Sequence, residues 1–94
     1  MTDPTHGPLH GIRVLDLATE RAEMAGRILA DLGADVLKIE PPGGVPGRRR
    51  PPFDERPGHE GRSLYWAALG LGKRSLEVDL ESAAGRERVA ALAT

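Results

Sequence analysis

The stretch IRVLDLATERAEMAGRILADLGADVLKIE, residues 12–40, decides the fold. It contains two short apolar runs, residues 12–17 and 36–40, which are typical of buried strands. Between them, apolar residues recur at helical spacing, namely Ala22, Ala25, Ile28, Leu29 and Leu32. A strand, a crossover helix and a second strand in this order predict a parallel β-α-β unit with a right-handed connection. Because both strands are mostly apolar, we expect an open α/β sheet with helices on its faces.

Residues at the ends of the predicted helix support its limits. Thr19 is predicted as the N-cap, which places Glu20 and Glu23 in the first turn, where the helix dipole favours acids. Glu23 and Arg27 stand four residues apart, in the order that favours a surface ion pair. Gly33 suits the position after the helix, where a left-handed residue ends it.

Residues 41–62 hold six of the eight prolines and five of the twelve glycines. This composition predicts a loop without regular structure. A loop of this length inside a compact domain is usually functional or disordered.

The sequence after this loop predicts three more elements. Residues 63–71 are predicted to form a short helix that glycines end. Over residues 75–81, apolar and charged side chains alternate strictly, as in a half-exposed strand. Ser82 can cap a final helix, in which Val89 and Leu92 are the large apolar residues.

The composition excludes several classes of protein. Without cysteine, the chain has no disulfide framework, no cysteine-based zinc site and no cysteine nucleophile. A net charge of −1 lacks the basicity of a nucleic-acid binder. No apolar run approaches the roughly 18 residues of a membrane span, and the N-terminus has no apolar segment of a signal peptide. We therefore expect a cytoplasmic, soluble domain or a piece of one.

The carboxyl ends of the strands are where an open α/β sheet binds ligands. A dinucleotide-binding turn would carry G-x-G-x-x-G, but the first glycine after strand one is Gly26. Glu40 fits either an acid that holds a ribose hydroxyl or the end of an exposed strand. Asp16 fits either a catalytic acid or, more commonly, a structural one.

Two groups of cations are candidate anion-binding residues. The run GLGKRS, residues 70–75, is similar to the end of a P-loop but lacks its first glycine and the Ser or Thr after the lysine, which excludes that motif. Lys73 and Arg74 remain either phosphate donors or part of a solvated turn. The three arginines at 48–50 either bind a phosphate or solubilise the loop. The histidines lie far apart, without the spacing of metal ligands, so no metal site is predicted.

Several segments, taken together, resemble a known family. They are PLHGIRVLDL at 8–17, LADLGADVLKIEPPGG at 29–44, SLYW at 63–66, GKRSL at 72–76 and VDL at 78–80, with Gly85-Arg86 beyond. In this order they are similar to the N-terminal segment of the family III CoA-transferases, the CaiB/BaiF family. This family includes formyl-CoA transferases, carnitine CoA-transferases and α-methylacyl-CoA racemases.

The resemblance implies that residues 1–94 are the N-terminal part of a Rossmann-like domain, with an open, mainly parallel sheet and flanking helices. It implies coenzyme A or acyl-CoA and a carboxylic acid as substrates, with no permanently bound cofactor. It also implies a homodimer of interlocked chains or a complementary C-terminal chain as partner, and neither nucleic acid nor membrane. Family transferases carry the acyl group on an aspartate that lies beyond the matched segment, so no catalytic residue is assigned here.

Residue by residue, the resemblance implies CoA contacts in four places: Glu20, Arg21 and Ala22 after strand one; Arg48 or Arg49 after strand two; Lys73 and Arg74; and Val78 beside the adenine. Two departures stand out. The Ala-Gly-Pro usual in the family after the first strand is replaced by residues 21–24, RAEM, one residue shorter. Gly70 and Leu71 stand in place of Asn-Arg. An acid at Glu20 or Glu23 would repel a nearby anion, which makes an altered substrate possible.

The expected function is therefore the CoA-binding segment of an acyl-CoA:carboxylate CoA-transferase, without its catalytic aspartate. Three alternatives stay open. In the first alternative, the chain is a non-catalytic remnant or half of a split enzyme. In the second, it belongs to a racemase-type enzyme of the same family, and in the third it is a small dinucleotide-binding module.

Overall fold

The computed structural model describes residues 7–19 and 22–94. Its elements in chain order are β1 (Arg13–Asp16), α1 (Glu23–Asp31), β2 (Asp35–Glu40), a short 3-10 helix (Pro46–Arg49), α2 (Leu64–Leu69), β3 (Arg74–Glu77) and α3 (Ala83–Leu92). The three strands form one parallel sheet in the order β1-β2-β3. The predicted α/β fold, an open parallel sheet with flanking helices, is confirmed.

Local capping residues end the helices largely as the sequence predicts. Gly33 has a left-handed φ of 100° directly after the last turn of α1. The Ser63 hydroxyl accepts the N–H of Trp66 at 3.1 Å at the start of α2. The Ser82 hydroxyl accepts the N–H of Gly85 at 3.0 Å at the start of α3.

The N-cap predicted at Thr19 is wrong. α1 begins at Glu23, and Ala22 precedes it without a side-chain cap. The Thr19 carbonyl instead accepts the N–H of Ala22 at 2.8 Å, in a turn that comes before the helix. Glu20, predicted in the first helical turn, lies outside the described residues.

Two predictions about the second half need correction. Residues 41–62 are not wholly irregular, because they contain the 3-10 helix Pro46–Arg49. Just before this helix, the Val45 N–H donates to the Glu40 carboxylate at 3.1 Å. The strand predicted over 75–81 ends at Glu77. Beyond that strand, the Val78 N–H still donates to the Glu40 carbonyl at 2.8 Å.

The two faces of the sheet differ in character. In the register of the strands, Asp16 lies beside Lys38 and Lys38 beside Ser75, so these polar residues share the face that α1 covers. The other face carries half-buried leucines, Leu15 and Leu37, which lie side by side in the register of β1 and β2. The buried apolar residues of the described chain centre on β2 and its neighbours: Ala34, Val36, Ile39, Val45 and Val78.

The helices of the described ranges are too short and too polar for any of them to cross a bilayer.

Replacing Ser82 by alanine is expected to lower the free energy of unfolding by about 1 kcal/mol, because the Gly85 N–H loses its side-chain acceptor. Urea unfolding followed by circular dichroism measures this loss. Ser82→Thr keeps the hydroxyl and should unfold close to the wild-type urea concentration. A Ser82→Ala protein as stable as wild type would contradict the capping role.

Candidate functional site

A cleft of about 540 Å³ lies at the carboxyl edge of the sheet. Its walls come from the segments that follow the three strands, including Leu17 and Ala18 after β1, Pro41 and Val45 after β2, and Val78 and Glu81 after β3. A second cavity of about 350 Å³ lies beside Arg13 and Arg74. The carboxyl-edge cleft is the stronger candidate site, because ligands of open parallel sheets bind outside the carboxyl ends of the strands.

Four buried side chains beside the β1–α1 loop form a closed set of ion pairs, here called the charge ring: Asp16, Glu23, Lys38 and Lys73. Lys38 Nζ lies 2.7 Å from Glu23 Oε1 and 3.4 Å from Asp16 Oδ1. Lys73 Nζ lies 2.9 Å from both Asp16 Oδ2 and Glu23 Oε2. None of the four side chains is more than 5% exposed. With two carboxylates and two ammonium groups, the charge ring has no net charge.

Asp16 and Lys73 stay ionised because their ion pairs outweigh the cost of burial. Burial alone raises the pKa of Asp16, but a hydrogen bond from Lys73, the Ala18 N–H and both lysine charges bring that pKa below its usual value. Burial alone lowers the pKa of Lys73, but hydrogen bonds to Glu23 and Asp16 raise it above its usual value. Asp16 Oδ2 lies 2.9 Å from Lys73 Nζ and Glu23 Oε1 lies 2.7 Å from Lys38 Nζ, so each of these two buried oxygens is compensated by an ammonium group.

The predicted surface pair between Glu23 and Arg27 is wrong. Glu23 is 1% exposed and faces the sheet, where the two lysines of the charge ring compensate its charge. Arg27 pairs with Asp31 at 3.1 Å instead. Asp16, another member of the charge ring, is engaged as a structural acid.

Glu40 forms a second buried polar site at the end of β2. It is 1% exposed, so the predicted exposed strand end is wrong. Arg48 binds its carboxylate through two hydrogen bonds of 2.6 Å, and Val45 and Ser75 donate two more. The Arg48 guanidinium also lies over the Trp66 ring, 4.8 Å from its centroid. These four hydrogen bonds engage the Glu40 carboxylate within the fold. The alternative in which Glu40 holds a ribose hydroxyl is therefore not supported.

The pKa of Glu40 reflects these contacts. Burial raises it, but the hydrogen bonds from Arg48, Ser75 and the Val45 N–H outweigh burial and bring it to about 2. The carboxylate is therefore ionised throughout the ordinary pH range.

The remaining predicted site residues lie in different parts of the fold. Val78 is buried in the cleft wall, and the exposed Arg49 donates to the Gly43 carbonyl at 3.1 Å, on the turn that forms part of that wall. Ala22 is exposed just before α1. Arg74 pairs with Asp35 at 2.7 Å, at the amino end of β2 and away from the cleft. Glu20 and Arg21 lie outside the described residues.

Sequence reasoning missed Lys38. A lysine in the middle of a mostly apolar strand was the available indication, because a buried ammonium group needs a buried counter-ion.

Acid is expected to destabilise the fold partly through Glu40. Its pKa is about 2 when folded against an ordinary value of 4.5, so the ionised group stabilises the fold above pH 4.5 and loses this contribution as the pH falls toward 2. Glu40→Gln should therefore cost up to about 3 kcal/mol at pH 6 and progressively less toward pH 2. Urea unfolding across this pH range measures the difference.

Glu77→Gln is the matched control, since Glu77 is exposed and lies beside Glu40 in the register of the sheet. A difference between Glu40→Gln and wild type that stays constant from pH 6 to pH 2 would refute the role given to the ionised carboxylate.

Comparison with known proteins agrees with this geometry. A sequence profile of CoA-transferase family III matches residues 9–94. Succinyl-CoA:mesaconate CoA-transferase of Haloarcula hispanica is 44% identical over 82 residues, which cover 86% of this chain and 21% of that protein. 2-Methylfumaryl-CoA isomerase of Chloroflexus aurantiacus is 42% identical over 82 residues, which cover 86% of this chain and 19% of that protein.

A solved structure agrees as well. The crystal structure of a CAIB/BAIF family protein from Brucella suis matches with a TM-score of 0.76 and 41% identity, over 89% of this chain and 22% of that one. The chain thus spans about a fifth of the length of the relatives that it matches. On the profile, the sequence identity and the shared fold, the chain belongs to CoA-transferase family III, the CaiB/BaiF family.

Proposed function

We propose that this chain is the N-terminal CoA-binding segment of an acyl-CoA:carboxylate CoA-transferase. The observation that carries the proposal is the cleft at the carboxyl edge of the sheet, in a chain that belongs to this family. The Haloarcula relative is named for a transfer between succinyl-CoA and mesaconate, which supports a CoA thioester and a carboxylic acid as substrates here.

The chemistry of the cleft suits the base of CoA better than its phosphates. Val45, Val78 and Pro41 provide apolar walls for a flat heterocycle. Asp79 and Glu81 also line the cleft, where they offer hydrogen-bond acceptors to amino and hydroxyl groups but repel phosphate. The phosphates are therefore expected at cations outside the cleft.

Arg49 is the cation that best meets this need. Its guanidinium donates to an uncharged carbonyl, that of Gly43, on the turn beside the cleft. Arg48 is compensated by Glu40 but its side chain is 39% exposed, so it can contribute a remaining donor. In the proposal, Arg48 and Arg49 bind the phosphates, Val78 borders the adenine, and the loop with Glu20, Arg21 and Ala22 contacts the rest of CoA.

The proposed contacts of CoA with Lys73 and Arg74 are harder to reconcile with the structure, because both residues are engaged in ion pairs. Lys73 lies in the charge ring and Arg74 is paired with Asp35. A contact from Lys73 to CoA requires its buried ion pairs to open, whereas the Arg74 side chain is 66% exposed but lies away from the cleft.

The chemical step is proposed to need residues outside this chain. In the proposal, the acyl-carrying aspartate expected from the resemblance lies in a further part of the protein or in a complementary C-terminal chain, and the cytoplasmic assembly is a homodimer or includes that chain. A non-catalytic remnant and half of a split enzyme remain alternatives. A racemase- or isomerase-type reaction is a second candidate, since a relative of the same similarity is named an isomerase.

Arg49→Gln is expected to raise the dissociation constant for CoA at least tenfold, because a hydrogen bond to a charged group contributes roughly 1.5–3 kcal/mol. Isothermal titration calorimetry with CoA measures this change. Arg88→Gln, an exposed arginine on α3, alters the net charge equally and should bind as wild type does. Unchanged affinity in Arg49→Gln would overturn the phosphate assignment.

Two further titrations sharpen this test. A tenfold loss of affinity in Arg74→Gln would show that Arg74 contributes to CoA binding. NAD bound as tightly as CoA would favour the dinucleotide-binding alternative.

The purified 94-residue chain is expected to bind CoA without transferring it. The expectation rests on the resemblance, which assigns the acyl-carrying aspartate to another segment, and on Asp16, which is held by two lysines. Incubation with succinyl-CoA and a second dicarboxylic acid, followed by chromatography of the CoA esters, measures transfer. Catalytic turnover by this chain would refute the assignment of the aspartate to another segment.

A further inference from the structure

The charge ring holds the loop between β1 and α1 at both ends. At the start, the Ala18 N–H donates to Asp16 Oδ1 at 3.0 Å, and the Ala18 carbonyl accepts a hydrogen bond from Lys38 Nζ. At the far end, Lys73 Nζ donates to the Glu23 carbonyl at 2.9 Å. The same side chains that compensate each other's charge therefore also fix the backbone at Ala18 and at Glu23.

The loop that is held in this way forms one wall of the cleft. Leu17, Ala18 and Thr19 all line it. The position of Ala18 relative to β2 thus sets the distance between this wall and the opposite one at Pro41 and Val45.

The approach of α1 to the charge ring depends on Gly26. A Cβ atom at this position would lie 2.3 Å from Asp16 Oδ2 and 2.9 Å from Lys73 Cε. Any side chain here would therefore displace the ring, and with it the anchors of the loop.

We propose that Lys38 is a positioning residue for the ligand of the cleft, acting through its hydrogen bond to the Ala18 carbonyl. Its side chain is 0% exposed, so it does not contact a ligand directly. With CoA as the ligand, this inference rests on the proposed function. Ala18 is held in place while the ring is intact, because its displacement would deprive Lys38 of a partner in a buried site.

Two variants separate positioning from folding. Glu23→Gln leaves two ammonium groups with one carboxylate but keeps the anchor from Lys38 to Ala18. Adding Lys38→Met restores neutrality, since Asp16 and Lys73 remain paired at 2.9 Å, but removes that anchor. Urea unfolding, amide hydrogen exchange by NMR and CoA titration are measured on wild type, the single and the double variant.

From the single to the double variant, stability is expected to rise while CoA affinity is expected to fall. The double variant should be more stable than the single, yet its Ala18 amide should exchange at least tenfold faster relative to Val36, and its dissociation constant for CoA should be at least tenfold higher. CoA affinity that simply follows stability, with Ala18 exchange unchanged, would overturn the proposal.

Gly26→Ala provides an independent variant that changes no charge. It should also speed exchange at Ala18 relative to Val36 and weaken CoA binding several-fold. If neither this variant nor the double variant speeds that exchange, Lys38 does not position the loop. If the exchange rises but even the wild type fails to bind CoA, the proposed function fails while the control of the loop by Lys38 stands.

Discussion

The contact between α1 and the sheet includes four buried charged side chains, where a parallel sheet usually offers apolar ones. Each ion that leaves water loses several kcal/mol of hydration unless a partner compensates it. In the charge ring, each ammonium group lies within 3.4 Å of both carboxylates. A shift of α1 along the sheet would weaken pairs on Lys38 and Lys73 at once. The ring therefore fixes the helix in position and in register, and Gly26 provides the space that this requires.

The charge ring matters more because the apolar core is small. The buried apolar residues of the described chain are few, and large ones such as Ile28 and Met24 stay about half exposed. Apolar burial is the main favourable term in folding, so its shortage leaves a narrow margin. Removing one partner of a buried ion pair costs about 3–5 kcal/mol, which is comparable with the total stability of about 5–15 kcal/mol of a typical domain. The net stability of this segment thus depends on complete pairing within the ring.

Features that depend on sequence neighbours could be predicted, and those that depend on distant partners could not. Ser82 begins a helix and Gly33 ends one through contacts within a few residues, so local rules identify them. Glu23 was assigned to a surface pair because the four-residue spacing considers only its own helix, whereas Lys73 is 50 residues away. Glu40 was misplaced for the same reason, since Arg48 reaches it only after the chain turns back at the 3-10 helix. For the cleft, the sequence predicted the edge of the sheet and Val78, but not the walls that the loops build.

The distribution of compensated charge also makes one side of the cleft more negative than the other. Lys38 and Lys73 are neutralised within the ring, and Arg48 is neutralised by Glu40. The fields of these paired charges therefore largely cancel beyond the few ångströms that separate them. Among the described residues that line the cleft or adjoin it at the turn after β2, the charges left are a pair of acids, Asp79 and Glu81, in the cleft and the Arg49 guanidinium on its rim. Under the proposed function, a nucleotide with its base in the cleft and its phosphates toward residues 41–49 meets both charges favourably. The reverse orientation would place phosphates between two carboxylates, where like charges repel. The ion pairs that stabilise the fold thus also determine which charges stay uncompensated, and under the proposed function those charges favour one orientation of the nucleotide.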